Sequence, residues 1–361
     1  MRSRLAASFV PHALAAATMA ALVATLIAAC GPGRAPVSST TTAHRLPDRA
    51  PTAPTSSASD TTGAAALPAA TDVREGVVFV RAGSIHLRRA VGGELIRLTF
   101  RSAASPDAAP ALSPDGTRIA YASRRDGVSQ IHVARIDGSE TRALTDGVGG
   151  GDGEPTWSSD GARIVFVRGA TDSPHDLHIV SASGGPTTLL LAGADDAPAL
   201  VGAPTWSPDG RVIIFAADRR EGLGTGLFSI APDGSGLRRL TRPASPNDWA
   251  RDLRPAWSPD GARLAFASNR HAASADDAAD FDLYTLEVAS GTLARLTRDP
   301  GVADDPAFSP DGRRLYFTST RDAPRPASIE LFVMPANGGE QRRLTRDELP
   351  ENSAPHAGLV P

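Results

Sequence analysis

Short hydrophobic runs separated by polar turns follow one another through residues 73–361, and none of them keeps the 3.6-residue period of a helix. The stretch that begins at Pro255 shows their order. Pro255–Ser258 is a short extended run, Arg263–Ser268 alternates between apolar and polar positions, and Phe281–Leu286 and Leu293–Thr297 are two further strand-like runs. This pattern predicts an all-β domain whose unit is four short antiparallel strands.

The unit is repeated, and a seven-residue motif marks each copy. The motif reads PALSPDG at 110–116, PTWSSDG at 155–161, PTWSPDG at 204–210, PAWSPDG at 255–261 and PAFSPDG at 306–312. The motif serines are 45, 49, 51 and 51 residues apart, which is the length of a four-stranded propeller blade. Proline and glycine suit a tight turn, and so does the aspartate between them. We therefore interpret Asp and Gly as turn residues and the Trp, Leu or Phe as packing between blades.

The number of units predicts how the ring closes. Residues 77–99 carry three strands but lack the leading strand of the other units, whereas Ser353–Ala357 is a strand position with no unit after it. Adding this spare strand to the first unit pairs both edges of the ring. The predicted fold is a six-bladed β-propeller in which a C-terminal strand completes blade 1.

The repeat also carries a family resemblance. P-x-W-S-P-D-G, followed by an apolar strand, an aromatic strand and R-L-T, resembles the WD40-like PD40 repeat of TolB-type propellers. The R-L-T ending stands at 97–99, 239–241, 295–297 and 343–345, is conservative at 143–145 and is lost at 188–190. The resemblance covers residues 73–361.

The N-terminus has the layout of an export signal. Two arginines precede a 17-residue apolar run at 13–29, which is shorter than the roughly 20 residues that span a bilayer. Residues 26–30 (LIAAC) resemble a bacterial lipobox, in which the cysteine is acylated. We predict a signal peptide over 1–29 and lipidation at Cys30, with simple secretion or a retained anchor as alternatives. The glycine after the cysteine resembles that of outer-membrane lipoproteins, which favours an outer-membrane position facing the periplasm.

Residues 30–72 consist mainly of Ala, Pro, Ser, Thr and Gly and have no hydrophobic periodicity. Such a segment buries too little apolar surface to offset the entropy of ordering it. We predict a disordered tether over 30–72 that holds the propeller, 73–361, off the membrane.

Composition narrows the range of partners. The net charge is −3 with 21% charged residues, so the totals give no sign of nucleic-acid binding or of general attraction to an anionic membrane. A single cysteine cannot form an intrachain disulfide. A monomer without a cofactor is expected.

Several possible ligand sites have simpler explanations. One position of the third strand holds His86, His132 and His178, and later blades have Phe228, Tyr284 and Phe332 there. Equivalent third strands lie well over about 10 Å apart, too far to share a metal ion, so we interpret this as a packing position. The acidic stretch 276–282 lacks the spacing of a calcium loop and is interpreted as a solvated loop, although calcium binding there stays open. The glycine-rich stretches 147–153 and 222–226 fit no phosphate-binding motif.

The remaining candidates are surface residues near one mouth of the central channel. Glu154, Arg254, Asp304 and Asp305 stand just before the P-x-W-S strands, with Asp252 close by. They are either a partner-binding rim or scattered solvated charges.

Trp249 is a further candidate, because it belongs to no repeat position. Tryptophan is enriched at binding hot spots, and local packing over its loop is the alternative.

These features predict a non-catalytic, lipid-anchored propeller that binds an envelope protein or peptide. The alternative is an enzyme, a lyase or hydrolase acting on saccharides or lactones at the channel mouth. Catalysis would need clustered acids or histidines on the innermost strands, which offer only His356 and scattered acids. A purely structural scaffold cannot be separated from a binding module at this level.

Overall fold

The computed structural model describes residues 76–81, 83–89, 95–101, 106–125, 127–169, 175–193, 199–218, 224–242, 250–272, 280–321, 329–345 and 358–359. All of them lie in one compact unit, Pro68–Pro361. They form six four-stranded antiparallel sheets, the blades of a β-propeller. In this part of the chain no helix is long and apolar enough to cross a membrane.

The strands of blades 1 to 3 are β1 Gly76–Arg81, β2 Ser84–Arg89, β3 Leu95–Arg97; β4 Asp107–Leu112, β5 Arg118–Arg125, β6 Val128–Arg135, β7 Arg142–Ala143; and β8 Gly151–Trp157, β9 Arg163–Gly169, β10 Asp176–Ser181, β11 Thr188–Leu191. Those of blades 4 to 6 are β12 Ala199–Trp206, β13 Ile213–Asp218, β14 Thr225–Ile230, β15 Arg238–Arg239; β16 Asp252–Trp257, β17 Arg263–Ser268, β18 Asp282–Glu287, β19 Leu293–Arg295; and β20 Ala303–Phe308, β21 Arg314–Ser319, β22 Glu330–Pro335, β23 Arg342–Arg343. The last strand, β24 Gly358–Leu359, belongs to blade 1.

The ring closes as the repeat count predicts. Strand β24 pairs antiparallel with β1 through Val77–Leu359 and Val78–Gly358. It also contacts β20 and β4, the innermost strands of the two flanking blades. The closing strand lies a few residues beyond the predicted Ser353–Ala357, which is outside the described residues. The innermost strands therefore form an unbroken ring around the central channel.

The motif turns have the chemistry predicted for them. In all five, the serine Oγ donates to the aspartate Oδ1 at 2.5–2.6 Å. The glycine N–H donates to the serine carbonyl at 2.8–2.9 Å, and its φ lies between 67° and 70°. The repeated Asp and Gly are turn residues.

The apolar position of the motif packs between blades, as predicted. Trp157, Trp206 and Phe308 are each 5% exposed. An arginine of the preceding blade lies over each ring at 4.7–5.5 Å from its centroid; the pairs are Arg118–Trp157, Arg163–Trp206 and Arg263–Phe308. Each motif ring is thus shared by two blades.

A cross-strand aromatic pair fills the middle of every blade. The pairs are Phe79–His86, Tyr121–His132, Phe166–His178, Phe215–Phe228, Phe266–Tyr284 and Phe317–Phe332. Their ring centroids are 5.6–6.1 Å apart. The three histidines therefore occupy the same packing position as the phenylalanines and the tyrosine, as expected.

The threonine of R-L-T joins the outer strand to the third strand. Its Oγ1 accepts a 2.9 Å hydrogen bond from a backbone N–H in five blades; the pairs are Thr99–Ile85, Thr145–Ile131, Thr241–Leu227, Thr297–Leu283 and Thr345–Leu331. Blade 3, where R-L-T is lost, has the strand β11 with the sequence TLLL instead.

Candidate binding site in the central channel

Five innermost strands share an unusual backbone conformation directly before the motif proline. The residues at this position are Ala109, Glu154, Ala203, Arg254 and Asp305, and each has φ between 47° and 51°. The left-handed region is unfavourable for residues other than glycine. Pairing with the second strand shifts register at the same place in every one of these blades, as at a β-bulge. In a regular strand, successive side chains point to opposite faces of the sheet, and the bulge interrupts this alternation at the pre-proline position.

Arg254 brings together the charges of three blades. Its Nε lies 3.0 Å from Asp305 Oδ1 and 3.3 Å from Asp304 Oδ2, and its Nη1 lies 3.7 Å from Glu154 Oε1. Glu154 is on β8 of blade 3, Arg254 on β16 of blade 5 and the two aspartates on β20 of blade 6, so Arg254 pairs with the adjacent blade 6 and with the non-adjacent blade 3. The structure therefore gathers four of the five predicted rim residues into one group, the channel cluster.

Glu154 is held in place by blade 4. Its Oε2 accepts a hydrogen bond from the backbone N–H of Ala203. A Cβ atom on Gly202, whose φ is 132°, would lie 2.2 Å from the same oxygen, so only glycine allows this approach. Sequence reasoning missed Gly202 and Ala203, although their place before the motif proline of blade 4 matches that of the charged residues.

The channel cluster has more negative than positive charge. Three carboxylates face one guanidinium, an excess of two negative charges. Burial lowers the pKa of Arg254, but the carboxylates of Asp305, Asp304 and Glu154 outweigh it and hold that pKa above its ordinary value. The side chains of Arg254 and Glu154 stay 31% and 32% exposed, so the cluster is accessible from the channel.

Asp252 lies outside the channel cluster. It is 2% exposed, and its Oδ1 accepts a 2.7 Å hydrogen bond from Ser268 Oγ. Its Oδ2 is 2.6 Å from Nη2 of Arg270, whose guanidinium lies over the Phe266 ring. This ion pair joins β16 to the turn that follows β17 in the same blade, so its geometry supports a structural role.

Other predicted sites fall partly or wholly outside the described residues. Cys30, Trp249 and His356 all do, so their roles stay predictions. Of the acidic stretch 276–282, the structure describes only 280–282. Asp282 is buried there and accepts a 2.7 Å hydrogen bond from Thr297 Oγ1.

The histidine of blade 2 shows how the aromatic position affects titration. His132 is 2% exposed and packs edge-on against Tyr121. Burial, followed by the charges of Arg125 and Arg101, lowers the pKa of His132 to about 4. Within the described residues no three His, Cys, Asp or Glu side chains are placed to hold a metal ion.

Comparisons with known proteins agree with this architecture. Residues 253–357 match the family described as TolB beta propeller domain, PD40. The protein Atu1656 of Agrobacterium fabrum is 28% identical over 191 residues, 53% of this chain and 57% of that protein. The peptidase YuxL of Bacillus subtilis is 32% identical over 91 residues, 25% of this chain and 13% of that protein. The chain thus spans less than two thirds of these relatives.

A solved structure shares the fold. TolB from Acinetobacter baumannii superimposes with a TM-score of 0.64 and 20% identity, covering 80% of this chain and 67% of that one. At this identity the likeness concerns the fold alone. Residues 253–357 thus match the TolB propeller family, and the described domain as a whole is a six-bladed β-propeller whose fold is similar to that of TolB.

Proposed function

We propose that this propeller is a non-catalytic module that binds a protein or peptide at the bacterial cell envelope through the channel cluster. One observation carries the proposal. The residues before the motif proline in blades 3, 5 and 6 are Glu154, Arg254 and Asp305. Their backbones are strained, and their side chains meet at one accessible point. Strain of this kind costs on the order of 1–3 kcal/mol per residue. It occurs in five innermost strands, and in these three it falls on a charged residue.

The charge of the cluster suggests the kind of group it binds. Arg254 contacts all three carboxylates, and the side chains of Glu154 and Asp304 are 32% and 23% exposed. A basic side chain or an amino terminus of the partner would complement these exposed carboxylate side chains. We therefore expect a cationic segment to enter the channel mouth.

The cell-envelope location rests on the predicted export signal and lipobox, together with the likeness to TolB. Metabolic labelling with a palmitate analogue should tag the chain at Cys30. Cys30→Ala should abolish the label and release the protein from the membrane fraction. An unlabelled native protein would contradict lipid anchoring but leave the channel proposal intact.

The alternative to a binding module is an enzyme, because the relative YuxL is named a peptidase. The chain matches only 13% of that protein, which is a weak basis for transferring an activity. General-base catalysis needs a carboxylate or imidazole that is available to take a proton. In the channel cluster, Arg254 contacts all three carboxylates and the Ala203 amide binds Glu154, which favours binding over catalysis.

A capture experiment tests the channel. Tagged full-length protein is used as bait in envelope extract, and its captured proteins are compared with those of Asp304→Asn/Asp305→Asn. The control is Glu287→Gln/Glu340→Gln, which removes two exposed acids elsewhere. A partner that is lost only with the channel variant supports the proposal. Identical capture by the native protein, the channel variant and the control variant contradicts it. Turnover of a substrate by the native protein that the channel variant abolishes would support the alternative function as an enzyme.

A further inference from the structure

Exposed apolar side chains gather at one end of blades 1 and 2. Phe100 is 79% exposed, Val148 69% and Val128 41%. Phe100 and Val148 are the two most exposed large apolar residues among those the structure describes. Phe100 and Val148 stand on two different loops and Val128 is the first residue of β6, so local sequence does not explain their proximity.

Contacts between the loops show that they form one surface. Arg101 Nη2 donates to the Arg124 carbonyl at 3.1 Å, and Arg124 Nε donates to the Gly127 carbonyl at 3.0 Å. Gly147 packs so closely on Val128 that a Cβ atom there would lie 2.4 Å from Val128 Cγ1. We name this surface the blade 1–2 patch; it consists of Arg97, Phe100, Arg124, Arg125, Val128 and Val148.

The arginines make the patch cationic. Arg97, Arg124 and Arg125 are exposed, and the Arg97 guanidinium lies 4.9 Å from the Phe100 ring centroid. Two neighbouring acids are engaged by other arginines: Asp107 is 1% exposed with Arg101 at 4.0 Å, and Asp146 is 3.3 Å from Arg168. Asp126 belongs to the same stretch of sequence but lies outside the described residues. The chain's overall charge of −3 does not reveal these three exposed arginines.

We propose that the blade 1–2 patch rests on the surface of an anionic phospholipid bilayer. Apolar side chains that protrude from separate loops can enter the headgroup region together, because a bilayer presents a broad surface to all of them. Arginines beside them bind phosphate oxygens and are attracted by the negative surface potential. A protein partner would need a matching acidic and concave surface, whereas these side chains protrude.

The predicted tether gives the patch access to such a bilayer. A flexible chain over 30–72 would have an end-to-end distance on the order of 35 Å. Lipidation at Cys30 would then keep the propeller within reach of the membrane and raise the effective concentration of the surface. Docking uses none of the channel-cluster residues, so this proposal and the proposed function can fail separately.

A site-specific fluorescent probe tests the proposal in the full-length chain. Cys30→Ala removes the native thiol, and Val148→Cys carries an environment-sensitive dye. The matched control places the dye at Leu293→Cys, a residue of β19 that is 40% exposed. The apolar segment 13–29 can hold the chain on any vesicle, so the readout is the probe's environment and not the amount bound.

Vesicles that contain phosphatidylglycerol should shift the emission at position 148 to shorter wavelength and leave position 293 unchanged. Phosphatidylcholine vesicles should shift neither. Arg124→Gln/Arg125→Gln should lower the ratio of docked to undocked patch about thirtyfold, because each arginine contributes independently to the attraction towards an anionic surface. Arg211→Gln/Arg313→Gln, in the motif turns, should have no effect. A missing shift at 148, an equal shift at 293 or equal response to both lipids would overturn the proposal.

Discussion

Trp157 donates a 3.1 Å hydrogen bond from Nε1 to the carbonyl oxygen of Ala111, which belongs to the preceding blade. The same blade supplies Arg118, whose guanidinium lies 4.7 Å from the centroid of the indole ring. One side chain therefore joins two blades by burial, by a hydrogen bond and by a cation–π contact. Trp206 is likewise buried beneath an arginine of the preceding blade, so both of these motif tryptophans are inter-blade contacts that the repeat provides.

Trp157→Ala should lower the free energy of unfolding by about 3–5 kcal/mol, because it leaves a cavity between blades 2 and 3. Trp157→Phe should cost less, since Phe308 occupies the equivalent position of blade 6 under Arg263. Urea unfolding followed by circular dichroism measures both. A loss below about 1 kcal/mol in the alanine variant would show that the indole is not an inter-blade anchor.

Trp249 provides the functional counterpart to this test. If it is a binding hot spot, Trp249→Ala should leave unfolding unchanged and weaken partner binding by 2 kcal/mol or more, roughly thirtyfold. Thermal unfolding and capture from envelope extract separate the two effects. A variant that unfolds early but binds normally when folded would make Trp249 a packing residue, and the binding surface would then be restricted to the channel cluster.

The R-L-T threonines differ in the number of hydrogen bonds that their hydroxyl groups form. Thr145→Val removes the acceptor of the buried Ile131 N–H and should cost about 1–3 kcal/mol of stability. Thr297→Val should cost more, because it also removes the 2.7 Å hydrogen bond to Asp282. The exposed Thr292→Val should change stability by less than about 0.5 kcal/mol. Equal losses for all three in urea unfolding would contradict this role for the threonine.

The repeat made the architecture predictable. Turn chemistry at Ser-Pro-Asp-Gly and a fixed period are local properties, and ring closure follows from counting strands. The position of Glu154 and Arg254 on one rim was predictable for the same reason, since equivalent positions of a ring face one channel.

Other features depend on backbone geometry that the sequence pattern does not show. Asp252 and Arg254 are two residues apart, so a regular strand would place them on one face. The bulge between Leu253 and Ala256 breaks that alternation, sends Arg254 to the cluster and leaves Asp252 with Arg270. The blade 1–2 patch escaped prediction because it joins loops that are distant in sequence and because its charge cancels in the total.

Ring closure predicts unequal effects of two deletions. Deleting 352–361 removes β24, leaves β1 without its inner partner and opens the ring, so the whole propeller should lose stability. Deleting 31–72 removes the predicted tether and should leave the melting temperature nearly unchanged. Differential scanning calorimetry compares the two proteins. If both melt alike, the closing strand does not contribute to stability.

The histidine in blade 2 makes stability depend on pH in a defined window. The pKa of His132 is about 4 in the folded protein and ordinarily 6.5, because burial and nearby arginines disfavour the cation. The unfolded chain therefore takes up a proton near pH 6.5 that the native protein resists until near pH 4. The contribution of His132 to the free energy of unfolding is fully present above the unfolded pKa of 6.5. It is lost as pH falls from about 6.5 to about 4, at about 1.4 kcal/mol per pH unit.

His132→Phe should remove this dependence and keep the packing, since Phe228 and Phe332 occupy the same position in other blades. Between pH 7 and pH 5 the native protein should lose roughly 2 kcal/mol more stability than the variant, measured by urea unfolding at each pH. Tyr121→Phe changes the same ring pair without altering a group that titrates in this range, so it should keep the native slope. Because burial is the main cause of the lowered pKa, an unchanged slope in His132→Phe would mean that the imidazole is hydrated in the folded protein.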